Sequence, residues 1–128
     1  MPGLLAGLTI WVVEDDFIAA LDLQRLIEER SGRVAGPAGR LDQARELARV
    51  TPLDGAILDV RLNGEVSLPL VDDLIARGVP VVLVTGYDAA VLPERFADTP
   101  RLSKPFSDAS FDRLAEQLFV HAAGTHGR

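Results

Sequence analysis

Apolar residues fall in short blocks along the chain, and the blocks alternate between two kinds of spacing. Thr9-Ile10-Trp11-Val12-Val13, Ala56-Ile57-Leu58 and residues 79–84 are nearly unbroken apolar runs. Burial on both faces is what a central parallel strand covered by helices requires. Between these runs the spacing becomes helical. Ala19, Leu23, Leu26 and Ile27 recur at i, i+4, i+7 and i+8 and predict a first helix ending near Ser31-Gly32. Leu41, Ala44, Leu47 and Ala48 mark a second, closed by Thr51-Pro52. A third opens on Pro69, carries Leu70, Val71, Leu74 and Ile75, and stops at Gly78. The closing helix is predicted from Ser107, a good N-cap, with Phe111, Leu114, Ala115 and Leu118 on its buried face. Shorter segments at 33–36 and 101–103 complete the strands. Residues 89–97, interrupted by Pro93, predict a poor helix, and mobility ordered by phosphorylation or by a partner is expected over residues 89–100.

Strand and helix thus alternate five times, which predicts a doubly wound (βα)5 domain of class α/β: a five-stranded parallel sheet with helices on both faces. The expected strand order is 2-1-3-4-5, with the ligand crevice at the carboxyl ends of strands 1 and 3. The 128 residues suit one domain, over residues 1–123, with a disordered tail at 124–128.

Composition narrows the function. There is no cysteine, which excludes disulfides, thiolate zinc sites and thiol catalysis and fits a reducing, cytoplasmic setting. A net charge of −6 disfavours nucleic acid as a partner, because its phosphates would be repelled. The apolar run 3–13 is stopped by Glu14, Asp15 and Asp16, far short of the roughly 18 residues that span a bilayer. It reads as a buried first strand, and no membrane partner is expected. Trp11 belongs to the core, and His121 and His126 to solvated chain without a metal role.

The chemistry collects at one edge. Glu14 and Asp15 follow strand 1, Asp59 ends strand 3, Thr85 ends strand 4 and Lys104 follows strand 5. All lie where such sheets bind ligands. Three converging carboxylates resist joint ionisation, and a divalent cation removes that conflict. Oxygen ligands without Cys or a suitably placed His point to Mg²⁺ rather than zinc. A metal beside a carboxylate, facing a hydroxyl and an ammonium, suits phosphoryl transfer, with Asp59 attacking phosphorus and Lys104 and Thr85 meeting the phosphoryl oxygens. Asp16 is read as the cap of the first helix.

At these residues the chain resembles the receiver domains of response regulators. Val12-Val13-Glu14-Asp15-Asp16, Ile57-Leu58-Asp59-Val60, Val84-Thr85-Gly86 and Ser103-Lys104-Pro105-Phe106 are similar to the four signature segments of that family, in order and across essentially the whole chain. The resemblance implies a CheY-like, flavodoxin-like fold. It also implies Asp59 as phosphoacceptor, Glu14 and Asp15 as the Mg²⁺-binding acidic pair, and the backbone carbonyl of Arg61 as a further metal ligand. Thr85 and Lys104 become the phosphoryl contacts, and the Lys104-Pro105 bond is expected to be cis. Implied partners are a histidine kinase or phosphotransfer protein and a downstream protein, with the domain acting alone as a monomer or a phosphorylation-dependent dimer. The resemblance implies no enzymatic activity beyond the domain's own phosphorylation and dephosphorylation. Thr85-Gly86-Tyr87 with Leu92-Pro93-Glu94-Arg95-Phe96 is similar to an alphaproteobacterial single-domain subfamily with a Phe-Ala-Thr-Gly-x-Tyr motif. Here Leu83-Val84 replace Phe-Ala, and Tyr87 follows Gly86 directly.

Two departures stand out. The family's switch aromatic, three positions before the lysine, is here Arg101, and Tyr87 is the candidate replacement. Arg61, two residues after Asp59, either shields the phosphoryl group or points to solvent. Two other functions compete with a phosphorylated regulator. A small Mg²⁺-dependent phosphohydrolase of the haloacid type would carry a second Asp where Arg61 stands. A phosphorylation-independent binding module would have no need of the full set Glu14, Asp15, Asp59, Thr85 and Lys104.

Overall fold

A computed structural model describes residues 3–14, 16–38, 52–62, 65–66, 68–85, 94–96, 98–104 and 106–120. Five parallel strands form one sheet: β1 Thr9–Val13, β2 Arg33–Ala38, β3 Gly55–Asp59, β4 Val81–Thr85 and β5 Arg101–Ser103. They lie in the order β2-β1-β3-β4-β5, the order expected from the strand-helix alternation. Side chains alternate across the sheet with period two. Trp11, Val13, Ala56, Leu58, Val81 and Leu83 face one layer, made by Phe96 and helix α2, Leu68–Ala76. Ile10, Val12, Ile57, Val82, Val84 and Leu102 face the other, made by α1, Phe17–Glu29, and α3, Asp108–Ala115. The nearly unbroken runs of β1, β3 and β4 follow directly, since both faces are covered.

Local chemistry sets the helix ends. Asp16 caps α1 by accepting from the N–H groups of Ile18 and Ala19. Ser107 and Ser110 form a reciprocal capping box at the start of α3. Gly78, at φ +78°, closes α2 with bonds from Gly78 N–H to Ile75 and from Val79 N–H to Leu74. The same closure ends α1, but there Ser31 rather than Gly32 takes the left-handed conformation, at φ +68°.

Several expectations need correction. Only residues 9–13 of the early apolar run form a strand. Residues 4–7 make a turn, and Leu5 is buried with its N–H donating to the Arg30 carbonyl. Ile75 is 48% exposed, because the buried stripe of α2 runs through Leu68, Leu70, Val71 and Leu74. After α3 the chain widens into a π-type turn, Glu116–Val120. The extra residue per turn brings Phe119 fully into the core and leaves Leu118 half-buried, like Leu114. A two-residue antiparallel ribbon, Arg61–Leu62 with Glu65–Val66, follows β3; the sequence pattern assigned no element there. The second helix expected at 41–51, most of the poor helix expected at 89–97 and the tail at 124–128 lie outside the described residues. Within the poor helix, Glu94–Phe96 forms one 3-10 turn. No described helix is long and apolar enough to cross a membrane.

Candidate functional site

Strand register brings the polar residues together. Val13 pairs with Leu58, Asp59 with Val84, and Thr85 with Ser103. Beyond the ladder, Lys104 N–H donates to the Thr85 carbonyl at 2.9 Å and Val60 N–H to the Val84 carbonyl at 3.2 Å. Glu14, Asp59, Thr85 and Lys104 therefore stand at one carboxyl edge, fixed by backbone bonds on a rigid sheet.

Lys104 is the hub of this group. Its Nζ lies 2.9 Å from Glu14 Oε1 and 3.0 Å from Asp59 Oδ2. Glu14 is buried, and its Oε2 accepts from the Asp16 N–H at 3.0 Å. Burial, reinforced by the neighbouring Asp59 carboxyl and opposed by Lys104, pushes the Glu14 pKa up to about 7. For Lys104, burial works against the charge, but the bonds to Glu14 and Asp59 outweigh it and raise its pKa. Thr85 is buried as well, and its Oγ1 has no hydrogen-bond partner among the described residues. A buried hydroxyl normally finds a partner, so this one stands ready for an acceptor arriving from the open edge.

The donor set is all oxygen, and two carboxylates share one ammonium. Added positive charge would relieve Glu14, which fits a hard divalent cation. Among the described residues, no three His, Cys, Asp or Glu side chains gather into a metal-holding cluster. The predicted third carboxylate, Asp15, lies outside the described residues, as do Tyr87, Pro105 and the side chain of Arg61. Of the predicted site residues, Glu14, Asp59, Thr85 and Lys104 meet. Asp16 serves as the helix cap.

Arg101, on β5, donates from Nη2 to the Phe96 carbonyl at 3.3 Å. The Phe96 ring is buried against the Trp11 face of the sheet. Neither link was visible in the sequence, since it joins a turn to a strand. On the other side of Lys104 a groove of about 460 Å³ opens between α1 and Phe106, lined by Ile18, Leu21 and Arg25. Ile18 is 77% exposed there, and Phe17, its neighbour at the start of α1, is 73% exposed. Their signal was in the pattern: they fall off the i, i+4, i+7, i+8 stripe.

No protein-family model matches the sequence. The chain is similar to SdrG from Sphingomonas melonis Fr1, at 31% identity and a TM-score of 0.78, over 93% of this chain and 96% of that one. A BeF3-activated conformation of SdrG is also similar, at 33% identity and a TM-score of 0.73, over 88% of this chain and 97% of that one. Over 117 residues the chain is 32% identical to the phyllosphere-induced regulator PhyR of Methylorubrum extorquens, covering 84% of this chain and 42% of PhyR. It spans about half the length or less of the curated relatives it matches, 42% to 50%. The fold also matches the receiver domain of the sensor histidine kinase PA1611 from Pseudomonas aeruginosa PAO1, solved with magnesium in its active-site cleft. The identity there is 22% and the TM-score 0.75, over 90% of this chain and 99% of that one.

Proposed function

The chain belongs to the receiver-domain family of response regulators, and on that premise we propose that it takes a phosphoryl group on Asp59 from a histidine kinase or phosphotransfer protein and signals by protein contact. The observation that carries this reading is the Lys104 ammonium bridging the Asp59 and Glu14 carboxylates at the carboxyl edge of the sheet.

In this reading an Asp59 carboxylate oxygen attacks phosphorus, and the bond from phosphorus to the donor breaks as the new one forms. Lys104 turns its charge toward the transferred oxygens, and the Thr85 hydroxyl donates to one of them. Glu14 and Asp59 would hold a Mg²⁺ ion, with Asp15 and the Arg61 carbonyl proposed to complete its ligands; when bound, the ion supplies positive charge against the phosphoryl oxygens. The groove beside Lys104, lined by the exposed Ile18 and Leu21, offers the donor protein an apolar seat beside the lysine that bonds Asp59.

Phosphorylation adds a charge of about −1.5 to −2, and the proposed output is a changed face around β5 and α3. Tyr87 is proposed as the aromatic readout in place of Arg101: Tyr87→Ala should weaken partner binding and leave Asp59 labelling intact. Action as a single-domain regulator is part of the same proposal.

The test is intact-protein mass after incubation with acetyl phosphate and Mg²⁺, beside Asp59→Asn. One added phosphoryl group on the native protein alone is expected. Absence of any adduct, repeated with a phosphoramidate donor and a short quench, would overturn the reading in favour of a phosphorylation-independent binder. Sustained turnover of a generic phosphomonoester would favour the hydrolase.

A further inference from the structure

Helix α3 is pinned to its surroundings along Asp108–Asp112. The reciprocal bonds of Ser107 and Ser110 fix its start. Arg25 Nη2 lies 3.3 Å from Asp108, and Arg30 grips Asp112 through two guanidinium nitrogens. The same Arg30 guanidinium stands 5.5 Å from the centre of the buried Phe111 ring. All of these contacts fall at or before Asp112, so they set the rotation of the first turns and leave the end of the helix to its own packing.

Beyond Ala115 the chain offers two apolar residues for one place. At about 100° per residue, a continued α-helix sets Leu118 about 20° from the line of Phe111 and Phe119 about 80° from it on the other side. Leu118 is then the core residue, completing the stripe Phe111, Leu114, Ala115 and Leu118. The π-type turn Glu116–Val120 advances by a smaller angle per residue and swings Phe119 back toward the line of Phe111. Phe119 is accordingly 1% exposed, and Leu118 is half-buried. Gly55 admits this arrangement, since a Cβ there would lie 2.3 and 2.4 Å from two carbons of the Phe119 ring. The rarer backbone form is thus occupied while the commoner one has an apolar residue waiting.

We propose that the end of α3 is a two-register latch: Phe119 fills the core in the π register and Leu118 fills it in the α register. Passage between them exchanges i→i+5 for i→i+4 bonds and rotates residues 116–120 about the helix axis, with the first turns held by Arg25 and Arg30. In the α register the Phe119 ring leaves Gly55 and swings toward the solvent side of the helix. Gly55 opens the strand that Asp59 closes, so the domain can present or withdraw an aromatic surface at the end of the sheet away from the phosphoacceptor. A side chain at position 55 crowds the first register and fills part of the space left in the second. The latch is independent of the reading that Asp59 is phosphorylated.

The test is methyl NMR of the full chain with a soluble paramagnetic probe, beside a double-mutant cycle in urea. In the native protein the Phe119 ring should show Overhauser contacts to Gly55 and stay shielded from the probe. Phe119→Gln makes the π register bury an amide, so the Leu118 methyls should become as shielded as those of Leu26, which is fully buried. Gly55→Ala should do the same and expose the Phe119 ring. Leu118→Gln closes the α register. Combined with Gly55→Ala it should lower the folding equilibrium constant about fivefold or more beyond the product of the two single effects. Leu118 methyls as accessible in Phe119→Gln as in the native protein would overturn the latch, and this variant carries the test if Gly55→Ala does not fold. Strict additivity of Gly55→Ala and Leu118→Gln would overturn it as well, leaving one fixed π-type turn.

Discussion

The Lys104 ammonium lies 3.0 Å from Asp59 Oδ2, and its backbone N–H is bonded to the Thr85 carbonyl. One residue therefore ties the cation of the site to the strand that carries its hydroxyl. Lys104→Met keeps the aliphatic stem and removes the charge. Labelling of Asp59 by acetyl phosphate should slow about a hundredfold, the usual cost of losing one electrostatic contact to a developing negative charge. The folded state should lose up to roughly 3 kcal/mol, because the partner carboxylates stay behind without their cation. The loss should be larger at high pH than at low pH, since Glu14 can take a proton when the lysine is gone. Chemical denaturation at two pH values, with mass-detected labelling, checks both effects.

Glu14 sets a pH dependence of definite sign. Its pKa is raised from an ordinary 4.5 to about 7 by burial, with Asp59 adding to the shift. Between those values the folded protein holds a proton that the unfolded chain has released. The stabilisation from this group is fully present below about pH 4.5 and is lost as pH rises through about 7, a swing of up to about 3 kcal/mol. Binding of Mg²⁺ requires the carboxylate, so its affinity should move the opposite way, rising from about pH 5.5 to about 7.5. Glu14→Gln should flatten the stability profile and weaken Mg²⁺ binding at every pH. Thermal unfolding across that range, with and without Mg²⁺, reads both arms. A native profile as flat as that of the variant would refute the assignment.

Gly55 opens β3 where the ring of Phe119 packs. A Cβ at position 55 would lie 2.3 Å from Phe119 Cδ1, far inside contact distance. Gly55→Ala should therefore cost about 1–3 kcal/mol by overpacking, although alanine suits a strand better than glycine. Combining Gly55→Ala with Phe119→Leu should cost less than the sum of the two changes, because the smaller side chain makes room. Urea denaturation of the four proteins in the cycle gives the coupling. Strict additivity would mean that the strand and the π-type turn do not press on each other.

Much of this architecture was legible in the sequence. Doubly covered strands must be apolar on both faces, so β1, β3 and β4 stood out as unbroken runs, and parallel order carried Glu14, Asp59, Thr85 and Lys104 to one edge. What escaped depends on forces that pattern does not encode. The 61–62 and 65–66 ribbon is too short to show any period. Phe119 replaces Leu118 in the core because a π-type turn breaks the 3.6-residue count. The bond from Arg101 to the Phe96 carbonyl joins a strand to a turn through backbone atoms, which no side-chain pattern can announce.

The end of α1 was expected near Ser31-Gly32, and the structure puts the left-handed residue at the serine. Ser31 sits at φ +68°, its N–H bonded to the Glu28 carbonyl while Gly32 N–H reaches the Ile27 carbonyl. An L-residue in that conformation carries a strain of roughly 1 kcal/mol that glycine does not. Gly32 cannot exchange roles with it, because a Cβ there would meet Ile27 Cγ2 at 2.8 Å. Ser31→Gly should then stabilise the fold by roughly 0.5–1 kcal/mol, reduced by loss of the exposed bond from Gly3 N–H to Ser31 Oγ at 3.2 Å. Gly32→Ala should destabilise it, and Ser31→Val should do so more strongly, since a β-branched side chain tolerates positive φ least. A denaturant series ranking these variants as glycine, serine, then valine at position 31 would establish the helix end as a strained cap. Equal stability of the first two would show that the Ser31 hydroxyl already offsets its backbone.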